Sequence, residues 1–224
     1  MNFYASGGSI SPRKRECQVT PEQVQARFMR AGGYAFARWG RPIAPVVFGV
    51  EDETLAIVKG AIEAVVAAAG HRMAETDPEL GANLMLFFLR DWSELLDVAN
   101  LGAMIPDLAG TVARLEAAEA TQYRSFRFDA EGAIRAAFVF VRMGGGMERL
   151  PAETIALAQA VETVLAWGSE AFAESGPLVA DPDTGAALVR PEIAALIRAA
   201  YDPVLPAAAT DPAHALRLFA RMGR

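Results

Sequence analysis

Cysteine and histidine are nearly absent from this chain. Cys17 stands alone, which excludes an internal disulfide and a thiolate metal cluster. Its context, Lys-Arg-Glu-Cys with no apolar stretch before it, is also wrong for a lipid-anchored cysteine. His71 and His214 are the only histidines, thin material for a zinc site of three or four N or S ligands. There is no His-Glu-x-x-His pair and no Gly-x-Ser-x-Gly elbow, so neither the zinc-protease nor the serine-hydrolase motif is present. Long apolar runs are missing too, although 53% of the residues are hydrophobic. The longest, Leu84-Met-Leu-Phe-Phe-Leu89, is far too short to span a bilayer, and Lys59 and Glu63 interrupt the greasy stretch from Glu53 to Ala69. No apolar h-region follows a basic n-region at the N-terminus, so no secretory signal is expected. That leaves a cytoplasmic protein, or an exported one whose leader has been removed.

Lysine is scarce as well, with Lys14 and Lys59 alone against a large complement of arginine. The basic charge is unevenly placed. Residues 1–45 carry Arg13, Lys14, Arg15, Arg27, Arg30, Arg38 and Arg41 against Glu16 and Glu22, a net of +5, so the remainder carries −11 to reach the overall −6. The segment from Arg27 to Arg41 also carries Trp39. Arg27, Arg30, Arg38, Trp39 and Arg41 are therefore candidate contacts for a protein partner or an anionic one. Nucleic acid is not an expected partner of so acidic a chain, and no cofactor is expected.

What is present reads as alternating helices and strands. Residues 1–19 are rich in Gly, Ser and charge and read as a flexible arm. Residues 20–224 read as a single domain, since no Pro- or Ser-rich linker divides them. Thr20-Pro21-Glu22-Gln23 has the composition of a capped helix start, and Gly32-Gly33 of a stop. Pro42 to Val50 reads as a strand whose prolines suit a start or an edge. A helix from Glu53 to Ala69 follows, then a buried strand from Asn83 to Leu89, the order of a parallel crossover unit. Pro106 opens another helix. Tyr123–Phe128 alternates with period two, Asp129–Gly132 turns, and Ile134–Met143 returns as a hairpin partner. Gly144–Gly146 lacks the spacing and Lys-Ser/Thr of a P-loop and reads as a connector. Glu153–Gly168 reads as one helix. Asp181–Gly185 is a turn between short apolar pieces, Pro191 opens a helix, and Asp211-Pro212 opens the last one with Leu216, Phe219 and Ala220 inward. The expected fold class is α+β: a small mixed sheet with a β-hairpin, packed by helices, and a mostly helical C-terminal third.

Within Glu153–Gly168, Glu162 is the candidate catalytic residue. On an ideal helix it lies about 20° from Ile155 and about 40° from Ala158 and Ala166, at the edge of the apolar face. A carboxylate there is partly desolvated, which raises its pKa toward the range of a general base. Asp181 and Asp183 are the nearest thing to a second carboxylate pair, and no metal ligand set is legible.

The run Leu196-Ile-Arg-Ala-Ala-Tyr-Asp-Pro-Val-Leu-Pro206 resembles the Leu-Leu-x-x-Leu-Tyr-Asp-Pro-x-Leu-x-Pro run of a bacterial family known as domain-of-unknown-function family 2927. That family is often exported and is related in appearance to zincin metallopeptidases. The Leu178–Val189 loop before the Glu192 helix, and Asn83 at the start of a strand, are similar to the family's pattern, giving a coverage of residues 40–222. The family's helix carries Glu-Glu-x-x-Gln-x-x-Gly. Aligned on Gly168, this chain has Val161, Glu162 and Leu165, so one Glu and the Gly are kept while the other Glu and the Gln are replaced. The resemblance implies a zincin-like fold with a degenerate polar helix. The function expected from it is a non-catalytic domain that binds or assembles with a protein partner or a second copy. The alternative is a peptidase-like hydrolase using Glu162 with a recruited metal or a second carboxylate.

Overall fold

A four-stranded mixed sheet lies between two sets of helices. The computed structural model describes residues 19–223. Residues 1–18 of the expected arm, with Cys17 and the charges of Arg13, Lys14 and Arg15, lie outside the described residues. The strands are β1 (Pro45–Phe48), β2 (Leu84–Leu89), β3 (Gln122–Phe128) and β4 (Ile134–Arg142), in the spatial order β1-β2-β4-β3. β1 and β4 run parallel to β2, while β3 pairs antiparallel with β4 and forms the far edge. The helices are α1 (Pro21–Ala26), α2 (Asp52–Ala68), α3 (Leu101–Met104), α4 (Leu108–Ala117), α5 (Ala152–Val164), α6 (Pro191–Ala200) and α7 (Ala213–Met222). The chain is α+β, and none of its described helices is long and apolar enough to cross a membrane.

Strand periodicity sets the two layers. Leu84, Leu86 and Phe88 of β2 and Ala137, Val139 and Val141 of β4 pack with residues of α2, α5 and α6 on one face. Phe138 and Phe140 face the other way, onto Trp92, Leu95, Leu101, Ile105 and Val112. Strands covered on both faces need apolar side chains at every position, hence the unbroken Leu84–Leu89 run. Pro45 sits at the start of the edge strand β1, where its missing N–H costs nothing to the ladder. The hairpin turn is made by Asp129, whose Oδ1 accepts from the N–H groups of Glu131 and Ala133, with Gly132 at φ +85°. The register shifts at its far end. Arg127 faces Ala136 and Phe128 faces Ile134, so Arg135 is an extra residue and Ile134 shares a face with Ala137.

A polar network around Asn83 and Asp77 clamps the start of the sheet. Asn83 donates from Nδ2 to Pro42 O and to Asp77 Oδ2, and its Oδ1 accepts from Ala44 N–H. Burial pushes the Asp77 carboxyl up, but the N–H groups of Glu79 and Leu80, with Asn83 and Arg41, hold it down at about 2.

Three local expectations are corrected. The first helix starts as expected, with the reciprocal Thr20–Gln23 capping box, but ends at Ala26 rather than at Gly32-Gly33. Phe28 turns into the core against Tyr34, Phe36 and Trp167, and Met29–Arg30 pairs with Gly33–Tyr34 as a minimal hairpin. The helix expected over Glu153–Gly168 stops at Val164, because Leu165 is extended (φ −133°, ψ 154°) and bridges Arg38. On α7, Leu216 is 57% exposed and Phe219 and Ala220 are also exposed, while His214, Ala215 and Leu218 face inward. The inward face is chosen by His214, whose Nδ1 lies 2.9 Å from Tyr34 Oη and whose ring packs 4.4 Å from Phe36.

His214 makes stability pH-dependent. Its Nε2 is buried without a partner among the described residues. Burial, reinforced by Arg217 and Arg221 and opposed by Asp211, pushes its pKa down to about 4. The unfolded chain takes up this proton near pH 6.5. As the pH falls from about 6.5 to 4 the unfolded state therefore gains protons first, and stability drops by at most about 3 kcal/mol. Urea midpoints measured across that window should fall in the wild type. They should stay flat, once the carboxylate contribution common to both proteins is subtracted, in His214→Gln, which keeps a hydrogen-bonding group beside Tyr34.

Candidate functional site

The end of α5, the edge strand β3 and the loop after Trp167 enclose a cleft of about 670 Å³. Its polar floor is Gln122, Arg124 and Glu162, and its aromatic walls are Phe126, Phe128, Trp167 and Phe172, with Arg30, Ser125 and Ser169 around them. The period-two alternation of β3 places Gln122, Arg124, Phe126 and Phe128 on one face, the face that α5 covers.

Glu162 is where its helical position predicts, at the margin of the packed face, with its side chain 12% exposed. Its Oε2 lies 2.6 Å from Nη2 of Arg124, which is itself 16% exposed. Nη2 donates its two hydrogens to Gln122 Oε1 and Gln159 Oε1, at 2.8 Å each, and Gln159 Nε2 donates to Gln122 Oε1 at 3.0 Å. Burial raises the Glu162 pKa above the usual carboxylate range, and the charge of Arg124 opposes this without cancelling it. Burial likewise lowers Arg124, with Glu162 opposing.

Arg124, Gln122 and Gln159 escaped the sequence reading. Two signals pointed to them: an arginine on the strand face shared with Phe126 and Phe128, and a Gln159–Glu162 pair three residues apart on a mostly apolar helix. The second carboxylate is not supplied by Asp181 or Asp183, which do not line the cleft. Asp181 instead accepts from the N–H groups of Asp183 and Thr184 in a surface turn. Among the described residues no three His, Cys, Asp or Glu side chains are grouped so as to hold a metal ion.

The basic, aromatic segment serves the fold. Arg27 donates to Ala171 O and lies 5.4 Å over the Phe172 ring. Arg30 donates to Ala166 O and, at 3.4 Å, to Trp167 O. Arg38 donates to Leu205 O and lies over Tyr201. Trp39 is 0% exposed, so it offers no surface to a partner, and its indole donates to Thr163 O. Arg41 bridges Asp77 and Glu79. Of the expected contact residues, the structure brings only Arg30 into the cleft with Glu162.

These donors also explain where α5 ends. Its last carbonyls have no helical partner. Trp167 Nε1 takes Val161 O, Trp39 Nε1 takes Thr163 O and Tyr201 Oη donates to Val164 O, at 2.8–2.9 Å. Beyond them Gly168 lies against the first segment, where an added Cβ would stand 2.3 Å from Met29 O. Comparison with family models, with curated proteins and with solved structures gives no match.

Proposed function

We propose that this chain is a non-catalytic, zincin-like domain that binds an extended segment of a protein partner along the free edge of β3. The observation that carries the proposal is the pairing of that edge with the cleft. Among the described residues no further strand pairs with β3 beyond β4, and the same strand forms one wall of the cleft. An unpaired edge offers a row of backbone donors and acceptors to a peptide, and pockets beside it sort the peptide's alternate side chains. The non-catalytic character is supported by Glu162 itself, held against Arg124 instead of standing free, and by Leu165, a buried apolar residue where the resemblance calls for Gln. The test is hydrogen exchange. Adding an extended peptide of alternating threonine and valine should protect the β3 amides that point away from β4. Protection confined to other elements, or none, would reject the proposal.

One observation favours a second reading, a peptidase-like hydrolase with Glu162 as general base: burial raises its pKa in a cleft of about 670 Å³. It needs a recruited metal or a second carboxylate from outside the cleft lining. Extended peptides incubated with the protein, with and without added zinc, and analysed by mass spectrometry decide between the two. Cleavage that disappears in Glu162→Ala would replace the binding reading.

A further inference from the structure

We infer that the cleft reads a carboxamide: a peptide lying along β3 sets an asparagine or glutamine side chain on the Glu162–Arg124 pair and an apolar one, two positions away, against Phe126 and Phe128. The inference deepens the binding reading above and rests on it.

The floor of the cleft is an ion pair that keeps open hydrogen-bonding positions on both partners. Both hydrogens of Arg124 Nη2 are taken up by Gln122 and Gln159, while Nη1 has no hydrogen-bond partner among the described residues. Glu162 is held by charge at Oε2, and no hydrogen bond from a described backbone or side-chain donor is directed at its carboxylate. An N–H donor and a carboxylate acceptor thus stand side by side in a largely buried site. A ligand carboxylate placed there meets Glu162 at close range, and an ammonium group meets Arg124. In a site of reduced dielectric either encounter is unfavourable. An apolar side chain leaves both groups desolvated and unpaired. A carboxamide is neutral and presents one C=O to Arg124 and one N–H to Glu162.

The spacing along the peptide comes from the strand. A chain added at the edge places alternate side chains on the cleft face, each beside one residue of the set Gln122, Arg124, Phe126 and Phe128. The residue beside Arg124 is the carboxamide. The next one on that face lies beside Phe126, whose ring stacks 6.4 Å from that of Phe128.

Four heptapeptides of alternating threonine and valine, with the central valine replaced by Gln, Leu, Glu or Lys, test the inference by fluorescence anisotropy. The Gln peptide should bind roughly tenfold more tightly than each of the others, the discrimination expected when a built polar pair is left unmatched. In Glu162→Gln, which leaves Arg124 without its counter-charge, the Glu peptide should become the tightest of the four. A backbone N-methylated Gln peptide should lose binding in both proteins. If the Leu peptide binds the wild type as tightly as the Gln peptide, the carboxamide assignment is wrong while edge binding stands. An unchanged ranking in Glu162→Gln has the same meaning. If none of the four binds, the edge-binding reading falls as well.

Discussion

Trp39→Ala should lower the unfolding free energy by about 3–5 kcal/mol, the loss typical of truncating a fully buried large aromatic side chain. Trp39 is 0% exposed and lies in the larger core cluster with Ile43, Ile134 and Leu165. Its backbone N–H reaches Tyr201 Oη at 3.4 Å, and its indole N–H holds Thr163 O at 2.9 Å. Alanine therefore opens a cavity and also strips a terminal carbonyl of α5 of its donor. Trp39→Phe separates the two losses. It keeps most of the ring volume and removes only the donor, so its cost should be nearer the ~1–3 kcal/mol of one buried unsatisfied acceptor. Guanidinium unfolding followed by circular dichroism checks both. Equal destabilisation by Ala and Phe would mean that the hydrogen bond, not packing, dominates at this position.

The other large effect is expected at Arg124. Arg124→Ala removes the cation paired with Glu162 and the shared donor of Gln122 and Gln159, leaving a carboxylate 12% exposed without its counter-charge. Breaking one side of a buried pair costs about 3–5 kcal/mol at neutral pH. The burial that already raises the Glu162 pKa then acts unopposed, so the residue should take up its proton at a still higher pH. The loss in Arg124→Ala should therefore shrink as the pH is lowered and the carboxyl becomes neutral. The pair Arg124→Leu with Glu162→Leu should recover most of the wild-type stability, because two apolar side chains need no compensation. Urea unfolding at pH 7 and pH 5 of the three proteins checks the set. A double variant as unstable as Arg124→Ala would show that the glutamine contacts, not the unpaired charge, carry the cost.

The fold was legible in the sequence wherever local signals and tertiary packing agree. The Thr20–Gln23 cap, the Asp129–Gly132 turn, the proline-marked edge strand and the doubly covered Leu84–Leu89 strand each announce themselves through residues a few positions apart. The end of α5 did not. Leu165, Ala166 and Trp167 are compatible with a helix, and it is the distant Arg38, Tyr201 and Arg30, held to Leu165, Val164 and Ala166, that mark its end. The candidate site divides in the same way. The margin position of Glu162 follows from helical periodicity, whereas its partner comes from a strand 38 positions away and is invisible to any local pattern. Arg27, Arg30 and Arg38 read as candidate partner contacts because nothing in their own neighbourhood reveals that backbone carbonyls from the C-terminal half lie over them.

The side chains that close the C-terminal end of α5 also bear on the order in which the molecule assembles. The Trp39 bond to Thr163 spans 124 positions, the Arg30 bond to Ala166 spans 136, and the Trp39 contact with Tyr201 spans 162. On a growing chain the first segment leaves the ribosome long before the residues it must join, so the sheet can form around β1, β2 and β4 while that segment waits. Contacts of such separation slow the late steps of folding and lengthen the time for which Phe28, Phe36 and Trp39 stay uncovered. Nascent chains ending before Tyr201 should thus be the species most prone to capture by chaperones or to aggregation.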